Sequence, residues 1–490
     1  MIYFLGSIVL AASAAIFDPD GEAVLRPFLL SIIGNRQKRF RLSMIVLALL
    51  AWVLFVIVIP PFQTPDEPGH FAYVQSLASG HYPILPKKGI LSYDSDLSAD
   101  LQISGHVSEI AFHQDRIMNF LRSPVDESKS DNVDKSVQAY QPPLYYFVAS
   151  VLYRVSRSLG LPALTNFYAT RMASLLFYLL FLAAFRLTVG QFMKQRAADY
   201  LTLAIALQPT LLMIAASINP EIGVVAVFTV TLGFLVAGLK TGSTKLSYAI
   251  LLGLLSAATI LTKFTGVIIY PVIFLALAME TAGGKTKKMR QLATYTASTI
   301  IPLTPWLIFN YLNYHALLPH NAQLLSGSGP IDNKIQLLFM TSNDIRESLS
   351  GLAGIFGWLD APVYGTLQQI YTFICLTFIG IGAWIIFHRR EWKKSGLELV
   401  PFISFVTLAL LSLFLIVYSL YLKVDYGWIF ALQPRYFMIG MLPAAVLFVS
   451  GIRQALRSVH EEQLMRGLFF FSLVYFLIAL LYTIVPRYYV

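Results

Sequence analysis

The feature that most constrains this chain is a series of long apolar runs, with basic residues gathered in the short segments between them. A run of about 20 apolar residues is what an α-helix needs to cross the hydrocarbon core of a bilayer. Hydrophobic residues make up 57% of the 490-residue chain and charged residues only 13%, which excludes an ordinary soluble domain. The sequence therefore predicts an all-α polytopic membrane protein.

The formal net charge of +10 has to be interpreted together with those runs. In a soluble protein, such a charge would suggest a nucleic-acid partner. Here Lys and Arg lie between apolar segments, as the positive-inside rule predicts, so we expect contact with membrane lipid and no nucleic acid. The single cysteine, Cys375, excludes a disulfide within the chain.

The apolar runs predict about eleven membrane-spanning helices, or about twelve if residues 1–17 also span. They are expected at residues 43–59, 171–190, 199–217, 221–239, 247–261, 265–280, 292–312, 366–388, 399–422, 432–451 and 468–486. This pattern divides the chain into an N-terminal apolar helix with a cytoplasmic segment, residues 1–42, and a transmembrane domain, residues 43–490.

The sides of the membrane follow from the basic cluster at residues 36–41, which precedes the span at 43–59. Such a cluster is typical of a cytoplasmic segment, so the span should end on the external side. Two external loops are then expected, at residues 61–170 and 313–365.

Residues 144–159 lie in the first of these loops but are rich in apolar residues. Their apolar residues recur at helical spacing on one face, whereas Arg154 and Arg157 lie largely off it. This pattern predicts a helix that lies along the membrane surface instead of crossing it.

An acidic pair follows the first span in the sequence Pro65-Asp66-Glu67-Pro68. Pro68 suits the first turn of a helix and favours an extended N-cap conformation for Glu67. The two acids either complement the helix dipole as caps or form a stiff carboxylate pair for acid/base chemistry, with a pKa raised by their like charges. The pair is also a candidate site for a divalent cation, since hard cations prefer carboxylates.

A lysine interrupts the apolar stretch at residues 247–280. As one helix this stretch would be about 51 Å long, which exceeds a hydrocarbon core of about 30 Å, so a turn is expected at residues 262–266. Lys263 should then lie near the external surface, where it either snorkels or binds a substrate. The same topology brings further ionisable or polar residues to that face: Asp66, Glu67, His70, Asn219, Glu221, Asp425 and Arg435.

Five short motifs occur in order along the chain: Pro65-Asp66-Glu67-Pro68 with His70-Phe71, Gln141-Pro142-Pro143-Leu144-Tyr145-Tyr146, Asn219-Pro220-Glu221, Leu261-Thr262-Lys263 and Gln433-Pro434-Arg435-Tyr436. From about residue 43 onward this set resembles the bacterial membrane family known as domain of unknown function 2142, which is similar to the GT-C glycosyltransferases. Two motifs depart from the family pattern. The usual Asn-Pro-Asp ends in Glu221, and the usual Gly-Arg-Tyr begins with Pro434.

The resemblance implies a GT-C-like bundle that transfers a sugar, with inversion, from a polyprenyl-phosphate donor to a glycan or lipid acceptor. The reaction would take place on the external face of the bacterial cytoplasmic membrane. Asp66 would be the base, with Glu67 beside it, and Lys263 and Arg435 would hold the donor phosphate. The remaining substrate-binding candidates are His70, Tyr140, Gln141, Asn219, Glu221 and Tyr436.

Two other classes of protein stay open at this stage. A transporter or flippase of lipid-linked saccharides usually shows inverted repeats and ionisable groups at the membrane midplane, whereas here no repeat is visible and the polar groups share one face. A structural subunit of a glycan-export complex would not need the acidic pair. Apart from the cation considered above, the sequence indicates no cofactor.

Overall fold

The computed structural model describes residues 36–82, 84–86, 135–136, 138–280, 284–319, 333–357, 359, 361–363, 365–390, 395–426 and 432–489. The predicted helix at residues 1–17 and most of the segment 1–42 lie outside these described residues. Residues 87–134, in the middle of the first predicted external loop, also lie outside them.

The described residues are mainly helical. The α-helices are α1 (Arg36–Val58), α2 (Glu67–Ala78), α3 (Leu144–Ser158), α4 (Ala163–Val189), α5 (Gln195–Ala206), α6 (Pro209–Ala215), α7 (Pro220–Thr241), α8 (Leu246–Thr262), α9 (Ile269–Met279), α10 (Lys285–Tyr314), α11 (Lys334–Gly351), α12 (Gly365–Arg389), α13 (Val400–Tyr426), α14 (Met441–Ala455), α15 (Glu461–Ala479) and α16 (Val485–Tyr489).

Shorter elements connect several of these helices. They are the 3-10 turns Phe264–Ile268, Gly396–Leu399 and Pro434–Gly440 and the π turn Leu480–Ile484. Four two-residue strands form two small ladders. Strand β1 (Leu85–Pro86) pairs in parallel with β2 (Lys135–Ser136), and β3 (Ile355–Phe356) pairs antiparallel with β4 (Ala361–Pro362).

The prediction of a polytopic helical protein is confirmed at this level. Within the described ranges, eight helices are long and apolar enough to cross a membrane, or nine if the bent pair α5 and α6 forms one span. That pair is bent by 68°. The helix α8 and the segment Phe264–Met279 are apolar but shorter, so the count of eleven or twelve spans stays a prediction.

The predicted break in the apolar stretch 247–280 occurs where the lysine stands. Helix α8 ends at Thr262, Lys263 is extended, and a 3-10 turn begins at Phe264. The two arms are therefore separate elements that meet at Lys263.

Helix α3 has two chemically different faces, as the sequence predicts. Tyr145, Tyr146 and Tyr153 are fully buried on one face, whereas Phe147 and Val155 are 62% and 54% exposed on the other. An exposed apolar stripe on a short helix suits the membrane interface, and this orientation stays a prediction. Arg154, which lies off the stripe, donates to the carbonyls of Leu77 and Ala78 and so satisfies the end of α2.

Cysteine labelling tests the predicted sidedness. In a background with Cys375→Ser, a cysteine at the exposed His81 should react with a membrane-impermeant maleimide in intact cells. Cysteines at the exposed Lys287 and Arg457 should react only after permeabilisation, because they lie at the opposite ends of the helices. Labelling of Lys287 or Arg457 positions in intact cells would reject this topology.

Candidate active site

Four charged side chains from distant parts of the chain meet where several helices begin or end. The ammonium of Lys263 lies 2.6 Å from Glu221 Oε1, and Arg435 Nε lies 3.5 Å from the same oxygen. Arg435 also donates through Nη2 to Asp66 Oδ2. Two carboxylates and two cations thus form one continuous chain of ion pairs, called here the charged chain.

The Asn-Pro-Glu motif sets the position of Glu221 by starting a helix. Asn219 is extended at the N-cap of α7, its Oδ1 accepts from the backbone N–H of Glu221 at 3.0 Å, and Pro220 occupies the first turn. Asn219 was predicted to bind substrate, but its side-chain oxygen serves as a helix cap. Glu221 is consequently fixed in the first turn of α7.

A close approach of helices brings Lys263 to Glu221. Gly223 lies in the first turn of α7, and a Cβ added there would come within 2.8 Å of Thr262 Cγ2. Because glycine leaves this space free, the end of α8 lies against the start of α7. Lys263 is only 8% exposed, so it is held in an ion pair inside the protein and does not snorkel to the surface as one interpretation predicted.

Asp66 occupies the N-cap position of α2 but does not act as a cap. Its backbone is left-handed, with φ of 66°, and its side chain makes no capping hydrogen bond. The prediction that Glu67 is the N-cap is therefore wrong, because Glu67 is the first residue of the helix. The Asp66 side chain turns to Arg435 and keeps 37% of its surface exposed.

Glu67 faces away from the charged chain. It is fully buried, and its two oxygens accept hydrogen bonds from Arg171 Nε and Nη2, each at 2.9 Å. The backbone N–H groups of Phe62 and Ile218 donate to it at 3.0 and 2.9 Å. The predicted carboxylate pair is therefore not formed, and this geometry gives Glu67 no access to a substrate.

Because the two acids are separated, the pKa of Asp66 is not raised by a neighbouring like charge as the sequence analysis expected. Burial is the largest effect and raises the pKa of the Asp66 carboxyl, but the charge and hydrogen bond of Arg435, together with the charges of His70 and Lys263, hold the pKa below its ordinary value. The residues likewise do not fit the divalent cation considered from the sequence. Asp66 and Glu67 each bind an arginine, which a cation would have to displace.

His70 lies beside the charged chain as a neutral imidazole. Burial lowers its pKa to about 3, and its Nδ1 forms a 2.7 Å hydrogen bond with the hydroxyl of Tyr146. In a neutral imidazole one ring nitrogen donates and the other accepts, so the tautomer decides which of His70 Nδ1 and the Tyr146 hydroxyl is the donor. His70 also interacts electrostatically with both Asp66 and Glu221.

Several buried polar atoms near the charged chain have no hydrogen-bond partner among the described residues. They include His70 Nε2, Glu221 Oε2 and Asn219 Nδ2. Leaving such a group unpaired costs about 1 to 3 kcal/mol, so native proteins rarely tolerate it. These atoms mark a place where a polar ligand would be stabilised.

The predicted tyrosine and glutamine residues fall into two groups. The ring of Tyr436 faces the Lys263 ammonium at 5.3 Å, which places it at the charged chain. Tyr140 packs edge-on against Tyr314, and the carbonyl of Gln141 accepts from the hydroxyl of Tyr73 at 3.1 Å. Tyr140 and Gln141 therefore belong to a neighbouring aromatic cluster instead of the charged chain itself.

Residues on both sides of Lys263 in the sequence line an apolar groove. It has a volume of about 590 Å³ and lies between α8, α9, α10 and α13. Its walls include Ile260, Val267, Ile268, Leu303, Leu413 and Phe414. Since Ile260 and Val267 stand on either side of Lys263 in the chain, one end of the groove adjoins the break between α8 and α9.

Two residues of this region were missed by the sequence analysis. Arg171 is one of two arginines in a mainly apolar span, and an ionisable residue within a membrane helix is itself a sign of function. Tyr146 belongs to the Gln141–Tyr146 motif, but a tyrosine in an amphipathic helix is more often a packing residue. Asp425, expected on the same face, is exposed near the end of α13.

Comparison with solved structures finds distant similarity to several chains, among them the following two proteins. ArnT from Cupriavidus metallidurans bound to undecaprenyl phosphate is 13% identical, with a TM-score of 0.43 over 85% of this chain and 60% of that one. The oligosaccharyltransferase of Archaeoglobus fulgidus is 14% identical, with a TM-score of 0.45 over 91% of this chain and 55% of that one. This chain therefore spans little more than half the length of each.

Comparison with curated proteins finds no match. The family model described as predicted membrane protein, DUF2142, matches residues 49–448. This range holds every residue of the charged chain and most of the apolar helices. The chain therefore belongs to the DUF2142 family of membrane proteins.

Proposed function

We propose that this protein is a membrane glycosyltransferase that moves a sugar from a polyprenyl-phosphate donor to a glycan or lipid acceptor. The observation that carries the proposal is the charged chain, in which Lys263 and Arg435 lie buried beside Asp66 and Glu221. A membrane protein keeps buried ionisable groups at a high energetic cost, so they usually serve a function. Two cations suit a phosphate, and two carboxylates suit a hydroxyl.

The donor end of the proposal rests on the chemistry of Lys263 and Arg435. A phosphate ester is a good leaving group when cations neutralise its developing charge, and arginine can do so with two parallel hydrogen bonds. The apolar groove beside the break between α8 and α9 is lined mainly by side chains that suit a hydrocarbon tail. A phosphate near Lys263 and an isoprenoid chain in the groove would use both features.

The transfer step follows from these positions. Asp66 accepts the proton of the acceptor hydroxyl while that oxygen attacks the anomeric carbon. The bond between this carbon and the phosphate oxygen breaks, and the polyprenyl phosphate leaves with the bonding electrons. One attack on one face inverts the anomeric configuration.

The ion pairs of the charged chain explain how the base becomes available. Without a ligand, Arg435 holds Asp66 and lowers its basicity. A donor phosphate would compete for Arg435 and Lys263, and so would weaken their hold on Asp66 and Glu221. The carboxylates would then accept hydrogen bonds or a proton only when the donor is bound.

The orientation of the reaction follows from the topology proposed for the helices. The basic segment 36–41 would face the cytoplasm, so the loop that carries Asp66 would face the external side of a bacterial cytoplasmic membrane. A lipid-linked donor and a water-exposed acceptor would meet there. Asp66, with 37% of its side chain exposed, is the member of the charged chain best placed to meet the acceptor.

Donor binding should depend on Lys263. Lys263→Ala should weaken binding of undecaprenyl phosphate by about 10- to 100-fold, the usual effect of losing a hydrogen bond to a charged group. Lys263→Arg should restore only part of the affinity, because the two cations differ in geometry. Native mass spectrometry of the protein in nanodiscs measures this affinity.

Control variants distinguish the contribution of the phosphate headgroup to donor binding from that of the isoprenoid tail. Lys287→Ala changes an exposed lysine at the opposite helix ends and should leave affinity unchanged. Val417 lies in the groove wall, so Val417→Trp should weaken the binding of undecaprenyl phosphate more than the binding of farnesyl phosphate. Val424→Trp, on the same helix but outside the groove, should change neither affinity. Unchanged affinity in Lys263→Ala would remove this residue from the donor site.

Turnover should depend on Asp66. Asp66→Asn keeps the side-chain shape but removes the base, so transfer should slow by about two to four powers of ten, while donor affinity changes much less. Transfer from a polyprenyl-phosphate sugar to acceptor is the assay, with Asp425→Asn as a control for an exposed carboxylate. A folded Asp66→Asn protein with normal turnover would contradict the mechanism, and saccharide movement across vesicles without transfer would indicate a flippase.

The pH dependence should show no histidine titration. With a pKa of about 3, His70 stays neutral from about pH 5 to 7, where an ordinary histidine changes charge near about pH 6.5. Asp66, with a lowered pKa, stays ionised over the same range. The value of kcat/KM, which reports the groups of the free enzyme, should therefore be flat between about pH 5 and 7. A fall in kcat/KM near about pH 6.5 that disappears in His70→Gln would contradict this prediction.

A further inference from the structure

We infer that the ion pair between Glu67 and Arg171 is a positioning device that couples the two parts of the chain carrying Asp66 and Glu221. Its kinetic consequence rests on the function proposed above, but its structural consequence does not. Neither residue belongs to the charged chain, and both side chains are fully buried. Their role would be exerted through the backbone.

Arg171 fixes the loop that precedes Asp66. Its guanidinium binds both oxygens of Glu67, and it also donates through Nη1 to the carbonyl of Ile59 and through Nη2 to that of Pro60, each at 3.1 Å. Arg171 and Glu67 are both fully buried. The end of the first span and the start of α2 are thereby tied to one side chain of α4.

Glu67 joins this loop to the second carboxylate. One oxygen accepts from the N–H of Phe62, within the Asp66 loop, and the other from the N–H of Ile218, just before the Asn219–Glu221 helix start. The same carboxylate thus touches both backbone segments. A shift of Glu67 would move Asp66 and Glu221 relative to one another.

The backbone of the loop shows why such a device is needed. Phe62 and Asp66 both have left-handed conformations, with φ of 65° and 66°. L-residues with side chains avoid this region, and they remain there only where the surroundings fix the chain. The ring of Phe62 packs on that of Phe167, one helical turn before Arg171 on α4, so this helix holds the loop by packing and by hydrogen bonds.

Hydrogen exchange tests the coupling without a substrate. In Glu67→Gln, amide exchange measured by mass spectrometry should rise by at least about tenfold in peptides covering residues 60–66 and also in peptides covering residues 216–222. Arg171→Lys keeps the charge but loses the planar fork, so it should show the same two sites with a smaller rise. It also covers the case in which Glu67→Gln does not fold.

The chain offers a matched control in a second carboxylate that pairs with an arginine of α4. Asp199 is a buried carboxylate that pairs with Arg186 of α4, toward the other end of that helix. Asp199→Asn should leave exchange in both peptides unchanged. The coupling is wrong if exchange rises only in residues 60–66, or if Asp199→Asn produces the same pattern.

A kinetic cycle separates positioning from catalysis. Glu67→Gln should lower kcat by at least about tenfold, since small misplacements of reacting groups have effects of this size, while the Kd for undecaprenyl phosphate changes by less than about threefold. In an Asp66→Asn background, Glu67→Gln should add little, because the positioned base is already absent. Additive losses would mean that Glu67 does not act through Asp66.

The two experiments fail in different ways. If the wild-type protein transfers no sugar, the proposed function is wrong, yet the exchange experiment still decides the coupling. If transfer occurs but exchange changes at neither segment in Glu67→Gln and Arg171→Lys, the coupling is wrong and the proposed function stands.

Discussion

The burial of Glu67 against Arg171 is the interaction on which the rest of the site depends. A charge removed from water is tolerated only when partners replace its solvation, and here both charges are fully satisfied. Glu67 accepts two hydrogen bonds from Arg171 and two from backbone N–H groups, and Arg171 also binds carbonyls of the adjoining loop. This pair lets an apolar helical protein carry a strained loop and a helix start side by side.

The charged chain is also stabilised by buried ion pairs, but unlike Glu67 and Arg171 it is not fully satisfied. Lys263, Glu221, Arg435 and Asp66 neutralise one another, but within the part of the chain that the structure describes, Glu221 Oε2 and the neighbouring His70 Nε2 have no hydrogen-bond partner. Such a site is held together by electrostatics and still has atoms free to bind a ligand. Its total charge is balanced, so an incoming phosphate has to exchange partners instead of filling a vacant positive site.

Much of this arrangement could be predicted from the sequence. Apolar runs predicted the long helices, and apolar periodicity predicted α3. The length of residues 247–280 predicted the break at Lys263, and the topology and motifs predicted that Asp66, Glu221 and Arg435 belong together. The predicted membership of the DUF2142 family was also confirmed. These features depend on local composition, on chain length relative to a bilayer, or on short patterns, all of which a single sequence displays.

The sequence did not predict which arginine pairs with each of the two acids. Asp66 and Glu67 are adjacent in the chain and look like one acidic pair, yet the left-handed backbone at Asp66 turns their side chains to different arginines. Arg171 and Arg435 are separated from these acids by 104 and 369 residues, so no local spacing links them. Without the partner, neither the role of Glu67 nor the direction of the Asp66 pKa shift could be derived.

The contrast between the two adjacent acids gives a physical basis for assigning their roles. Every hydrogen-bonding direction of Glu67 is used by protein groups and none of its surface is exposed, so a proton transferred to it would break a buried ion pair. Asp66 is held by a single arginine and has an exposed edge, so its partner can be exchanged when another anion arrives. Of two neighbouring carboxylates, the less satisfied one is therefore the one suited to chemistry, and the fully bonded one is suited to holding it in place.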